Sequence, residues 1–136
     1  MELKEYIGPM ANGAPSGWGI GVTADGWTYS GDWRDGKLEG AVIEAFEGFR
    51  LERTWTHGAP LNGACTLDCP DHSTYSGPMV AGVAHGTHGH LSLPTGVVYT
   101  GPFVDGSAHG PAGLQAFPDG SQYIGGFARG RRSGKG

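Results

Sequence analysis

Residues 99–103, "YTGPF", alternate large apolar side chains with small or polar ones. Tyr99, Gly101 and Phe103 fall on one side of an extended chain, Thr100 and Pro102 on the other. A period of two is strand periodicity. The following "VDGS" carries the Asp-Gly pair of a tight hairpin turn. A second strand is expected in "GPAGLQAF" after His109, and a second turn at Asp119–Gly120, three residues before the next tyrosine. The pattern therefore predicts strand, tight turn, strand, tight turn. No stretch of useful length shows the 3.6-residue period of a helix.

The same unit recurs. Copies begin at Tyr6, Tyr29, Leu51, Tyr75, Tyr99 and Tyr123, at spacings of 23, 22, 24, 24 and 24 residues. Each reads Tyr, x, Gly, x, Trp/Phe/Met, x, x, Gly, with a further glycine four residues on. A lone hairpin is marginal in water, so hairpins at fixed phase imply a stack in which each buries its aromatic face against the next. The predicted fold is all-β: an elongated single-layer array of about six stacked β-hairpins filling residues 1–136, with the sixth unfinished at Gly136. Its expected core is a ladder of Tyr6, Tyr29, Leu51, Tyr75, Tyr99 and Tyr123 beside Met10, Trp33, Trp55, Met79, Phe103 and Phe127. Glycine between two rings gives clearance for a ring or a neighbouring hairpin to lie on the backbone.

Composition agrees with this picture. The chain has 27 glycines in 136 residues, a 38% hydrophobic share, and fourteen aromatics (four Trp, five Tyr and five Phe) that argue against disorder. The net charge is −4, and no Lys or Arg lies between Thr54 and Ala128. An anionic partner needs clustered cations, so nucleic acid is excluded as a partner of the centre. Cations gather only in the tail, at Arg129, Arg131, Arg132 and Lys135. "MELKEYIGPM" lacks the apolar segment of a signal peptide, and no run is long enough for a membrane span. The expected setting is cytoplasmic.

The pattern resembles the MORN repeat (membrane occupation and recognition nexus), Tyr-x-Gly-x-Trp/Phe-x-x-Gly-x-x-His-Gly-x-Gly, over nearly the whole chain. His85–Gly86 and His109–Gly110 match its His-Gly step. The resemblance implies a β-hairpin array used as a scaffold, with cytoskeleton- or membrane-associated relatives and no catalytic domain of its own. The third copy departs most. Leu51 replaces the aromatic, Arg53 the strand glycine, Cys65 a second-strand glycine, and His72 the turn glycine seen at Gly26, Gly96 and Gly120. That copy is expected to bend or loosen, or to be read by a partner.

Candidate chemistry is sparse. "GSAHGPAG" lacks the Gly-Lys-Ser/Thr and the following helix of a phosphate loop. Serines, histidines and aspartates fall on repeat positions, so no enzyme is expected. Cys65, Cys69 and His72 lie one rung from His85, His88 and His90, a sulfur and imidazole set that suits zinc. Strand alternation, however, divides His88 and His90 from His85. His85 and His109 also occupy the repeat's own histidine position, so neither metal nor cofactor is expected. On one strand, Cys65 and Cys69 would lie about 13 Å apart, beyond disulfide reach.

Two functional readings follow. The first is a non-catalytic scaffold that binds a protein segment or self-associates. Its candidate contacts are Trp18, Trp27 and Phe49, which lie outside the ladder, with Arg53 and Phe127. Because the last repeat lacks its second strand, Phe127 is expected to be uncovered and to drive a homodimer through the C-terminal repeats. The alternative is a peripheral membrane module reading anionic phospholipid through Arg129, Arg131, Arg132 and Lys135.

Overall fold

The computed structural model describes residues 2–133. They form an all-β, antiparallel structure with no helix among the described residues, divided into two compact units, one up to Leu61 and one from Asn62 onward. The first unit contains β1 (Leu3–Ile7), β2 (Met10–Ala11), β3 (Ala14–Pro15), β4 (Gly17–Thr23), β5 (Thr28–Arg34), β6 (Lys37–Phe46), β7 (Phe49–Thr56) and β8 (Ala59–Pro60). Its sheet runs β1-β4-β5-β6-β7, with β8 folded back on β7 and β2–β3 a separate small hairpin. The second contains β9 (Gly63–Asp68), β10 (Thr74–Val80), β11 (Val83–Ala84), β12 (Gly86–Ser92), β13 (Val98–Val104), β14 (Ser107–Ala108), β15 (Gly110–Ala116), β16 (Gln122–Ala128) and β17 (Arg131–Ser133). Its order is β9-β10-β12-β13-β15-β16-β17, with β11 on β10 and β14 on β13.

The turns repeat more strictly than the residues in them. All six first turns have both central residues at positive φ: Asn12–Gly13, Asp35–Gly36, His57–Gly58, Ala81–Gly82, Asp105–Gly106 and Arg129–Gly130. That is the type I′ geometry whose twist matches paired strands. The second turns vary: Glu47–Gly48 is again a two-residue turn at positive φ, and the others are wider. In the four wider ones a peptide N–H closes back on the carbonyl three residues earlier: Gly26 on Thr23, His72 on Cys69, Gly96 on Leu93 and Gly120 on Phe117. His72 thus holds a glycine's place at φ +73°. An L-residue there costs about 1–2 kcal/mol. His72→Gly is accordingly expected to stabilise the second unit by about 1 kcal/mol in urea unfolding, and no gain would refute the strain. In two of these turns, Ser73 and Ser121 donate both N–H and hydroxyl to Asp71 and Asp119. The serine hydroxyls, then the serine N–H groups, hold both carboxyls below their ordinary 3.8. The contribution of these bonds is therefore present above that value and is lost as pH falls through the lowered one.

Rings from successive repeats meet edge to face. Tyr6 packs on Trp33 at 5.6 Å, Tyr29 on Trp55 at 5.7 Å, Tyr75 on Phe103 at 5.1 Å and Tyr99 on Phe127 at 4.8 Å. Hydroxyls of Tyr6, Tyr75, Tyr99 and Tyr123 donate to the carbonyl three residues on, which satisfies them inside the stack. Burial first, with Cys65 adding to it, pushes the Tyr75 phenol up to about 12, so it stays a neutral donor. Glycine's steric role is plain at Gly113, where a methyl would sit 2.7 Å from Tyr99 Cε2 and 2.9 Å from Phe127 Cδ1.

The direction of stacking corrects two expectations. Trp33, Trp55, Phe103 and Phe127 are each covered by the tyrosine of the repeat before. Among the described residues no earlier repeat supplies one for Met10, which is 56% exposed rather than part of the ladder. Phe127, expected to lie bare, is 4% exposed under Tyr99 and Tyr123, and β17 pairs along β16. The bare aromatic end that motivated dimerisation is absent among the described residues.

Neighbouring repeats are also tied through their turns. The glycine N–H of Gly36, Gly58, Gly106 and Gly130 donates to the preceding repeat's Pro15, Leu38, Ala84 and Ala108 carbonyls. A side-chain acceptor from the preceding repeat takes the other turn N–H: His57 N–H donates to Glu39 at 2.7 Å, Ala81 to Asn62 at 3.0 Å, Asp105 to His85 Nδ1 at 3.2 Å and Arg129 to His109 Nδ1 at 3.3 Å. The histidine of the His-Gly step is thus a brace for the next hairpin. Its Nδ1 accepts, which puts the ring proton on Nε2.

Candidate functional site

In the first unit, the face turned away from the ladder carries apolar side chains. On β4, Gly17, Gly19 and Gly21 lie toward the ladder, so Trp18, Ile20 and Val22 project from the opposite side. Register aligns Ile7, Ile20, Ser30 and Ile43 across β1, β4, β5 and β6. Trp18 stands two residues along from Ile20. Ile7 is 59% and Trp18 60% exposed. The result is a strip of aliphatic side chains with an indole at its margin.

The remaining predicted contacts do not join that strip. Trp27 is half-buried and stacks on Phe46, centroids 5.0 Å apart and planes 20° apart. Phe49 is exposed and faces Phe46 across the Glu47–Gly48 turn, toward the strand ends opposite Trp18. Arg53 is turned inward. Its Nε and a terminal nitrogen donate to the two Glu44 oxygens at 2.6 and 3.0 Å, and Trp55 Nε1 adds a third bond at 3.1 Å. Elsewhere a glycine pair faces across this rung, as in Gly19–Gly31 and Gly89–Gly101; here Val42 faces Arg53. The third repeat is not loosened there, because β6 and β7 pair from Gly40–Trp55 through Phe46–Phe49.

The ladder side of the first unit holds a groove of about 560 Å³, lined by Glu2, Asp25, Tyr29, Trp55, Ala59 and Pro60 among others. No lining residue is a cation. Burial, followed by the Glu44 and Asp25 carboxylates, raises the Tyr29 phenol above its ordinary value. The second unit has a smaller, more apolar groove of about 240 Å³ beside Tyr75, Met79, Val83, Leu91 and Phe103.

The C-terminal cations are spread by geometry. Arg129 stands at the tip of a type I′ turn. Arg131 and Arg132 follow on β17, where successive side chains take opposite faces, and Arg132 lies 5.5 Å from the Tyr123 ring centroid. Lys135 lies outside the described residues. The sulfur and imidazole groups are also apart: Cys65 is buried with its thiol toward the Gly77 carbonyl, His72 is in a turn, His88 is beside Thr87, and His90 bonds Thr100. Among the described residues no three His, Cys, Asp or Glu are placed to hold a metal.

Sequence reasoning missed the braces and the carboxylate-lined groove. A signal for the braces was present, since Glu39, Asn62, His85 and His109 each sit shortly after a first-turn glycine, Gly36, Gly58, Gly82 and Gly106. Glu39, Asn62 and the histidines differ in kind, however, and hide the common role. Among the described residues no helix is long and apolar enough to cross a membrane. Comparison with family models matches the MORN repeat at residues 29–41 and 123–136. No curated protein matches the chain.

Proposed function

The chain is a MORN-repeat protein, and on that premise we propose that it is a non-catalytic interaction module holding a protein segment against the outer face of its first unit. MORN repeats generally serve as protein- or membrane-interaction modules. The observation that carries the choice is the strip of Ile7, Ile20 and Ile43 with Trp18 beside it, aligned by register and exposed at both Ile7 and Trp18. Exposed apolar side chains on a rigid sheet offer contact area at small ordering cost. The lipid reading has less support, because Arg131 and Arg132 take opposite faces and Arg132 lies over Tyr123. The module is placed by this reading in the cytoplasm, at a cytoskeletal or membrane-bound partner.

Selection from a displayed random-peptide library tests the proposal. Selected peptides should bind an Ile7→Ser/Trp18→Ala variant about tenfold or more weaker, with unchanged thermal unfolding. Equal binding by the variant would overturn the site. No selectable peptide, together with salt-sensitive sedimentation on phosphatidylserine vesicles, would favour the lipid reading instead.

A further inference from the structure

Charge is segregated along this chain. Through Leu61 there are nine Asp and Glu against five Lys and Arg, a net of −4; from Asn62 on there are four against four. All four of the latter cations lie at Arg129 or beyond. The first unit's groove collects the matching negative side: Glu2 and Asp25 border it, Tyr29 and Trp55 form its aromatic wall, and no cation lines it. The second unit presents the positive side on a tip, with Arg129 exposed at the head of a type I′ turn and Arg131 exposed beside it.

We propose that the groove of one molecule receives the Arg129–Arg131 corner of a second copy. The chemistry suits guanidinium in particular. Its planar fork pairs with carboxylate through parallel hydrogen bonds, and its face stacks on aromatic rings. Glu2 and Asp25 supply carboxylates and Tyr29 a ring, and Asp25 is held by a hydrogen bond from the Thr23 hydroxyl. Groove and corner are different surfaces, so the contact is heterologous and each molecule offers one of each. Complementary charge steers the encounter and makes it sensitive to salt. The contact uses the ladder side of the first unit and is independent of the outer strip around Trp18.

Sedimentation velocity over a concentration series tests this. At low salt the wild-type chain should associate beyond the monomer, weakening about tenfold or more at high salt as the charges are screened. A groove variant, Glu2→Gln/Asp25→Asn, and a corner variant, Arg129→Asn/Arg131→Gln, should each stay monomeric. Asn suits the left-handed turn position, as Asn12 shows in the first repeat. Mixed together, the two variants should form a one-to-one dimer and nothing larger, because only one groove and one corner remain intact between them. The Ile7→Ser/Trp18→Ala variant should associate as wild type does, which separates this contact from the peptide site. A wild-type monomer at low salt, association of either single-surface variant alone, or a mixture that stays monomeric would overturn the proposal.

Discussion

Arg53→Met should destabilise the first unit by about 3–5 kcal/mol, although it removes a cation for an apolar side chain of similar length. The Glu44 carboxylate is 4% exposed, and Arg53 supplies two of its hydrogen bonds, at 2.6 and 3.0 Å. Without the guanidinium, a desolvated charge retains Trp55 Nε1 but loses its counter-ion. Stripping one partner from a buried pair is far more harmful than removing both. The double variant Glu44→Leu/Arg53→Met should therefore recover to wild type or exceed it by about 1–4 kcal/mol. Leucine is the natural replacement, since Leu91 faces Tyr75 as Glu44 faces Tyr29. All four tryptophans, at 18, 27, 33 and 55, lie in the first unit. Indole fluorescence in urea thus reports that unit alone. A single variant as stable as wild type, or a double variant as unstable as the single, would show that the pair contributes otherwise.

In the second unit the largest loss should come from Phe103→Ala, about 3–5 kcal/mol. Phe103 is 2% exposed, and the rings of Tyr75 and Tyr99 both stand 5.1 Å from it at near-perpendicular planes. Alanine removes both ring contacts and leaves a cavity between two tyrosines that are held by their own hydroxyl bonds to Pro78 and Pro102. Those bonds limit collapse, which is what makes a cavity expensive. Gly89 backs the ring so closely that an added Cβ would collide with Phe103. Gly89→Ala should thus be destabilising in the wild-type background and markedly less so beside Phe103→Ala, a coupling that a double-mutant cycle reads directly. Amide exchange in β10, β12 and β13 is the suitable measurement. Strict additivity of the two substitutions would reject the packing account.

Local signals identified the hairpins because their causes are local. Alternation set the strand faces, turn pairs such as Asp105–Gly106 set the tight turns, and a glycine between rings marked where a ring lies on the backbone. The period joined these into a stack. Even the misfit at His72 was readable, since a non-glycine at a glycine position implies positive φ wherever the repeat holds. Only tertiary structure decided which neighbour each side chain meets. The stacking direction left Met10 exposed and covered Phe127, although the repeat gives both the same position. Register set Glu44 within reach of Arg53 nine residues away and turned a conspicuous cation from a surface contact into an internal tie. The braces from Glu39, Asn62, His85 and His109 each reach a turn N–H eighteen to twenty residues on. A chain pattern records what a residue prefers for itself. The partner across the sheet is set by pairing, where the energies of two distant segments are summed, and no single stretch of sequence contains that sum.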